Sequence, residues 1–165
     1  MTTEADRHRH IATQLMNAAM SYARLILRRY GELGPFGFSM SPEGEIAREV
    51  LEIPRLPQDP ARQWRLLAQH VTERARKGKL QAVAMGASVS LAEPSAEGYI
   101  DAVDMIIEVA GGYAIQVTVP YRIYGGHLWN LLPRRIALGK PTTEQETECR
   151  LFAPQGRART KGSGK

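Results

Sequence analysis

Asp101, Asp104 and Glu108 are the acidic residues whose spacing comes closest to a chemical site. Paired carboxylates can pass protons to and from a substrate or hold a divalent ion. In a regular strand Asp101 points away from the other two, while Asp104 and Glu108 share a face at roughly 13 Å separation. The pair therefore reads first as charge on a solvated sheet face, and only second as the site of a metal-dependent or hydrolytic enzyme. A nucleophile would have to be Cys149, the single cysteine, served by one of four histidines. It follows the acidic run Thr142 to Glu148, which raises a thiol pKa and opposes activation. His8 and His10 flank Arg9 in a solvated helix start, His70 lies inside a second helical pattern and His127 follows two glycines. None of them has a partner at metal-ligand spacing. The glycines from Gly31 to Gly37 lack the lysine and the strand-loop-helix order of a phosphate loop. No catalytic residue, metal ligand or cofactor is assigned.

Recognition is better represented than catalysis. Arg62, Arg65, Arg74, Arg76, Lys77 and Lys79 make one helical segment basic outside its apolar stripe. A solvated face explains them first, but Arg62, Arg65 and Arg74 are also candidate contacts for a protein partner. Tyr121, Tyr124 and Trp129 gather around Gly125 and Gly126. Core closure accounts for them first, and as Tyr and Trp they are secondarily candidate interface anchors. No aromatic ladder accompanies the basic residues, which argues against a single-strand nucleic-acid groove.

The formal charge of +5 belongs to one end of the chain. Arg150, Arg157, Arg159, Lys161 and Lys165 are five of the 22 basic residues, and no acid accompanies them, so residues 1–149 hold 17 basic against 17 acidic. Nucleic acid is therefore expected to bind only weakly, through this tail. No apolar run approaches the roughly 20 residues of a membrane span. The first eight residues are polar, and the lone cysteine excludes an internal disulfide, so a cytoplasmic location is the expectation. At 165 residues the chain is long enough to bury a core without a staple.

Positioning these residues requires a specific set of elements. Ile11, Leu15, Ala18, Ala19, Tyr22 and Ile26 recur at steps of three and four and predict a helix from Asp6 to Tyr30, with Gly31 as its left-handed cap. Arg24, Arg28 and Arg29 then complement the helix end. Alternation over Pro35 to Met40 predicts a strand. Ser41 to Gly44 follows as a type I turn with a bulge, and a return strand runs from Glu45 to Ile53. Asp59 and Pro60 start a second helix with Trp64, Leu67, Val71 and Ala75 inward, ending at Gly78.

From Leu80 to Leu91 the period is two. One face there is unusually small, Ala82, Ala84, Gly86, Ser88 and Ser90, which invites a helix to approach closely. Two long strands follow, Tyr99 to Val109 and Tyr113 to Tyr124. A three-residue loop, Ala110 to Gly112, is the choice that gives one apolar face, with Val109 opposite Tyr113, Ile107 opposite Ile115, Met105 opposite Val117 and Val103 opposite Val119. After Tyr124 the sequence reads as irregular, with Leu128 to Pro133 packing back on the body.

The expected fold is α+β, a single mainly antiparallel sheet of about five strands in the order α-β-β-α-β-β-β with helices mainly on one face. Residues 1–150 would form this domain and 151–165 a basic flexible tail. The element order resembles that of roadblock and related regulatory light-chain-like domains. Tyr30-Gly31-Glu32, Pro35 to Phe38, Gly44 to Ile46, Gly112-Tyr113 and Val119 to Tyr121 are similar to a small bacterial family without an assigned activity, over residues 20–125. The resemblance brings no catalytic residue. The functional expectation is a non-enzymatic protein-interaction or regulatory module, of the inhibitor or immunity type in one form. Its partner is a protein, with a homodimer through a sheet edge or helix face as one arrangement.

Overall fold

A computed structural model describes residues 2–126, 131–146 and 149–152. Helix α1, Glu4–Tyr30, starts two residues earlier than the apolar pattern because Thr3 and Asp6 close a capping box. Gly31 ends it at φ 77°, donating its N–H to the Leu27 carbonyl. Strands β1, Phe36–Met40, and β2, Ile46–Glu49, form the expected hairpin. Its turn is as the sequence requires: Gly44 sits at φ 92° and donates to the Ser41 carbonyl. The return strand stops at Glu49, four residues short of the expected Ile53. Helix α2, Pro60–Arg76, is capped by the Asp59 side chain, which accepts from the Ala61 N–H at 3.1 Å.

Strands β3, Ala82–Ser90, β4, Asp101–Val109, and β5, Tyr113–Tyr124, complete the expected meander. The β4–β5 register matches the four apolar pairs argued from the three-residue loop. Two further short strands lie in the stretch that reads as irregular: β6, Arg135–Leu138, and β7, Thr142–Gln145. Both pair with β5, β6 along Tyr121 to Tyr124 and β7 along Ile115 to Thr118, so together they make one edge interrupted at Gly139 to Pro141. The sheet order is β2-β1-β3-β4-β5-β6, with β7 beside β5, all pairs antiparallel.

The α+β class and antiparallel sheet stand; the placement of the helices differs from expectation. They lie on opposite faces of the sheet. α1 covers the small face of β3, packing Leu15, Ala19, Ala23 and Leu27 against Ala82, Ala84, Met105 and Ile107. α2 covers the other face, where Leu67 and Val71 meet Val83 and Met85. Alternation makes both faces of β3 apolar, so the central strand is buried from both sides. Gly86 is where the α1 face is tightest: a Cβ there would lie 2.8 Å from Met105 Cγ and from Phe36 Cζ. Leu151 also belongs to the α2 core, at 8% exposure, so the boundary drawn at residue 150 cuts through a docked segment. Among the described residues no helix is long and apolar enough to cross a membrane.

Candidate functional site

The α2 face holds Asp104 and Glu108, the carboxylate pair that the sequence offered for chemistry, and the geometry commits both to the fold. Glu108 is fully buried on β4. Its carboxylate accepts three backbone N–H groups, from Arg150 at 2.6 Å, Leu151 at 2.7 Å and Phe152 at 3.0 Å. Asp104, on the same face as expected, accepts from Gln116 Nε2 at 2.9 and 3.0 Å and from Thr118 Oγ1 at 2.9 Å. The two carboxylates thus serve separate clusters. Ser90 donates to Asp101 at the far end of the strand, at 3.4 Å.

A second buried carboxylate, Glu49 at the end of β2, escaped the sequence reading. Its side chain is 2% exposed and lies beneath α2. Ser39 Oγ and Arg74 donate to one oxygen, and His70 Nε2 lies 3.1 Å from the other. Burial pushes the Glu49 pKa up, but the hydrogen bonds from Ser39 and Arg74, the Arg74 charge and the His70 contact outweigh it, and the carboxyl is held below its ordinary value of 4.5. The acid stands between serine and histidine, the oxygen that accepts from Ser39 is also engaged by Arg74, and Ser39 is buried, so the cluster is an ionic clasp rather than an accessible nucleophile with a histidine base. The available signal was the i, i+4 spacing of His70 and Arg74, flanking the Leu67 and Val71 stripe on one side.

Cys149 is half-buried, with Sγ 3.6 Å from the Tyr113 carbonyl. Burial, and then the Glu108 charge, push its thiol pKa up. Among the described residues no three His, Cys, Asp or Glu side chains converge as a metal site.

Between α2 and the segment held by Glu108 lies an open cleft of about 630 Å³. Trp64, Ala68 and Thr72 form its helix wall, Ile106 its floor, and Arg150 and Leu151 the opposite wall. Trp64 is half-buried rather than fully inside the predicted apolar stripe. Arg76 and Glu73 stand on the rim, Glu73 paired with Lys77 at 3.0 Å. Arg65 is exposed and, at helical spacing from Ala68, Gln69 and Thr72, belongs to the same flank of α2.

The sequence-derived partner residues are not brought together. Arg62 and Arg65 are exposed on the outer side of α2, whereas Arg74 sits on the opposite flank and is engaged by Glu49. Tyr121 is 5% exposed on the α1 face, with its hydroxyl 2.6 Å from Ser88 Oγ, and is a core residue. Tyr124 is exposed at the end of β5, beneath the Arg122 guanidinium at 5.2 Å from its ring centre. Trp129 and His127 lie outside the described residues. No protein-family model matches the chain, and no similar curated protein or solved structure was found.

Proposed function

We propose that this chain is a non-enzymatic protein-binding module that docks a partner in the cleft beside α2. The observation that carries this reading is the cleft itself, where a half-buried Trp64 lines an open space rimmed by Arg76 and Arg150, with the exposed Arg65 on the same flank of α2. Trp and Arg are the residue types that most often anchor protein interfaces, and a volume of this size takes an apolar side chain of a partner with its neighbours. The engagement of Asp104, Glu108 and Glu49 in structural hydrogen bonds supports it over the reading as a hydrolytic or metal-dependent enzyme. An inhibitor or immunity-type protein is one form such a module takes, and a second copy of the chain is one partner it admits.

The test is capture from the native host with the wild-type chain, a Trp64→Ala variant and an Arg65→Glu variant. The expected result is a chain retained by the wild type and lost by both variants. A partner captured equally well by all three, with the variants folded, would overturn the assignment of the cleft.

A further inference from the structure

On the other side of the sheet, the C-terminal end of α1 presents a different surface. Arg28 and Arg29 are exposed there, and with Leu132, Pro133 and Arg134 they line a cleft of about 280 Å³. Among the described residues no acidic side chain lines it. Arg134 donates to the Arg29 carbonyl at 2.9 Å and so serves as a cap for the helix. The helix end explains part of this charge, but only part. A macrodipole presents about half a negative charge at its C-terminus. The Gly31 N–H and Arg134 already satisfy the Leu27 and Arg29 carbonyls; the Arg29 guanidinium lies over the Tyr30 ring at 5.4 Å, and neither it nor Arg28 is paired with a carboxylate among the described residues. Beside them stand apolar side chains in water: Leu25, one turn before Arg28 and Arg29, is 59% exposed and Leu132 is 49% exposed.

We infer that this surface binds an acidic peptide segment of a protein partner, one in which carboxylates flank a large apolar residue. The guanidinium groups of Arg28 and Arg29 take the carboxylates as charge-assisted pairs. Leu25 and Leu132 take the apolar side chain. A nucleic-acid backbone fits less well, because it offers phosphates in a continuous line and nothing to cover the leucines. The inference rests on the reading of this chain as a protein-binding module, but not on the cleft beside α2.

The test uses a fluorescein-labelled synthetic peptide of alternating glutamate pairs and leucine, titrated with the full chain and followed by anisotropy. Saturable binding that weakens with salt is expected, with about a tenfold loss in both Arg28→Gln and Arg29→Gln and a smaller loss in Leu132→Ser. Arg28→Lys should retain most of the affinity, and Trp64→Ala should leave it unchanged, which separates this surface from the α2 cleft. Far-UV circular dichroism checks that each variant keeps its helices. The inference is overturned by equal binding of a lysine-leucine peptide, by glutamine variants that bind like the wild type, or by a duplex oligonucleotide that displaces the peptide at lower concentration than unlabelled peptide does. Loss of host-partner capture in Trp64→Ala with peptide binding intact would support both readings, as two separate surfaces.

Discussion

The two faces of the sheet are built on opposite principles. Under α1 the contact is dry: Leu15, Leu27, Met105, Ile107, Val103 and Val117 are fully buried, and small residues on both sides bring helix and sheet together. Under α2 the apolar core is smaller, and two buried carboxylates, Glu49 and Glu108, fasten the helix and the Arg150 to Phe152 segment. An apolar face is held by close packing over a wide area and is broken by a cavity. A carboxylate clasp is held by direction and works at one geometry. Stability accordingly concentrates on the first face, while the second keeps open space beside α2.

Truncation in the dry core should give the largest loss. Leu15→Ala removes a side chain with no exposed surface, and such changes typically cost about 3–5 kcal/mol where neighbours cannot collapse into the gap. Urea or thermal denaturation followed at 222 nm measures it. A loss below about 1 kcal/mol would mean that the α1 face is plastic and that the contrast between the faces fails.

Next in size is Glu108→Ala, at about 3 kcal/mol, because three backbone donors lose a charged acceptor. Hydrogen exchange should show the amides of Leu151 and Phe152 released while those of α1 stay protected. Glu49→Gln should cost about 2 kcal/mol at pH 7, since it leaves Arg74 without its charge partner. That cost depends on pH with a definite sign. The folded-state pKa of Glu49 lies below 4.5, so its contribution is fully present above that value and is lost as pH falls through the folded pKa. The stability gap between wild type and Glu49→Gln should therefore shrink below about pH 4.5. A gap that is constant from pH 7 to pH 3 would show that the clasp contributes shape and not charge.

The dry face was the legible one. Periodicity located α1, and the requirement for one apolar face set the β4–β5 register, because a one-residue slip would mix polar and apolar side chains. The α2 face was legible only in its apolar part. Glu49 and Glu108 look like ordinary surface carboxylates in a strand pattern, and their partners Arg74 and Leu151 are 25 and 43 residues away in sequence. Strands β6 and β7 carried no signal for a different reason. All four residues of β7 are exposed, so no apolar alternation marks it, and its hydrogen bonds to β5 alone make it a strand. The recognition residues were scattered because charge and aromaticity mark what a side chain is able to do and not which way its helix or strand turns it. Arg65 and Arg74 differ by nine residues in α2 and end on opposite flanks.

The smallest expected effect tests where the α2 face ends. Residues after Phe152 are glycine-rich and basic and offer little to bury, so a chain stopped after Phe152 should match the wild type within about 0.5 kcal/mol, or roughly 2 °C in Tm. A chain stopped after Cys149 should behave differently. It removes the donors but leaves Glu108 buried and unpaired, which is worse than having neither. Adding Glu108→Ala to that shorter chain should therefore restore stability, whereas the same substitution in the chain ending at Phe152 destabilises it. The opposite signs would identify the carboxylate and its three donors as one unit. The chain stopped after Phe152 carries a second readout. With Arg157, Arg159, Lys161 and Lys165 gone, weak binding to duplex oligonucleotide, with its salt slope of about −4 at most, should disappear. Duplex binding that persists at physiological salt would move the basic surface onto Arg62, Arg65 and Arg76 of α2, and the open side of this face would then be a nucleic-acid surface in place of a protein one.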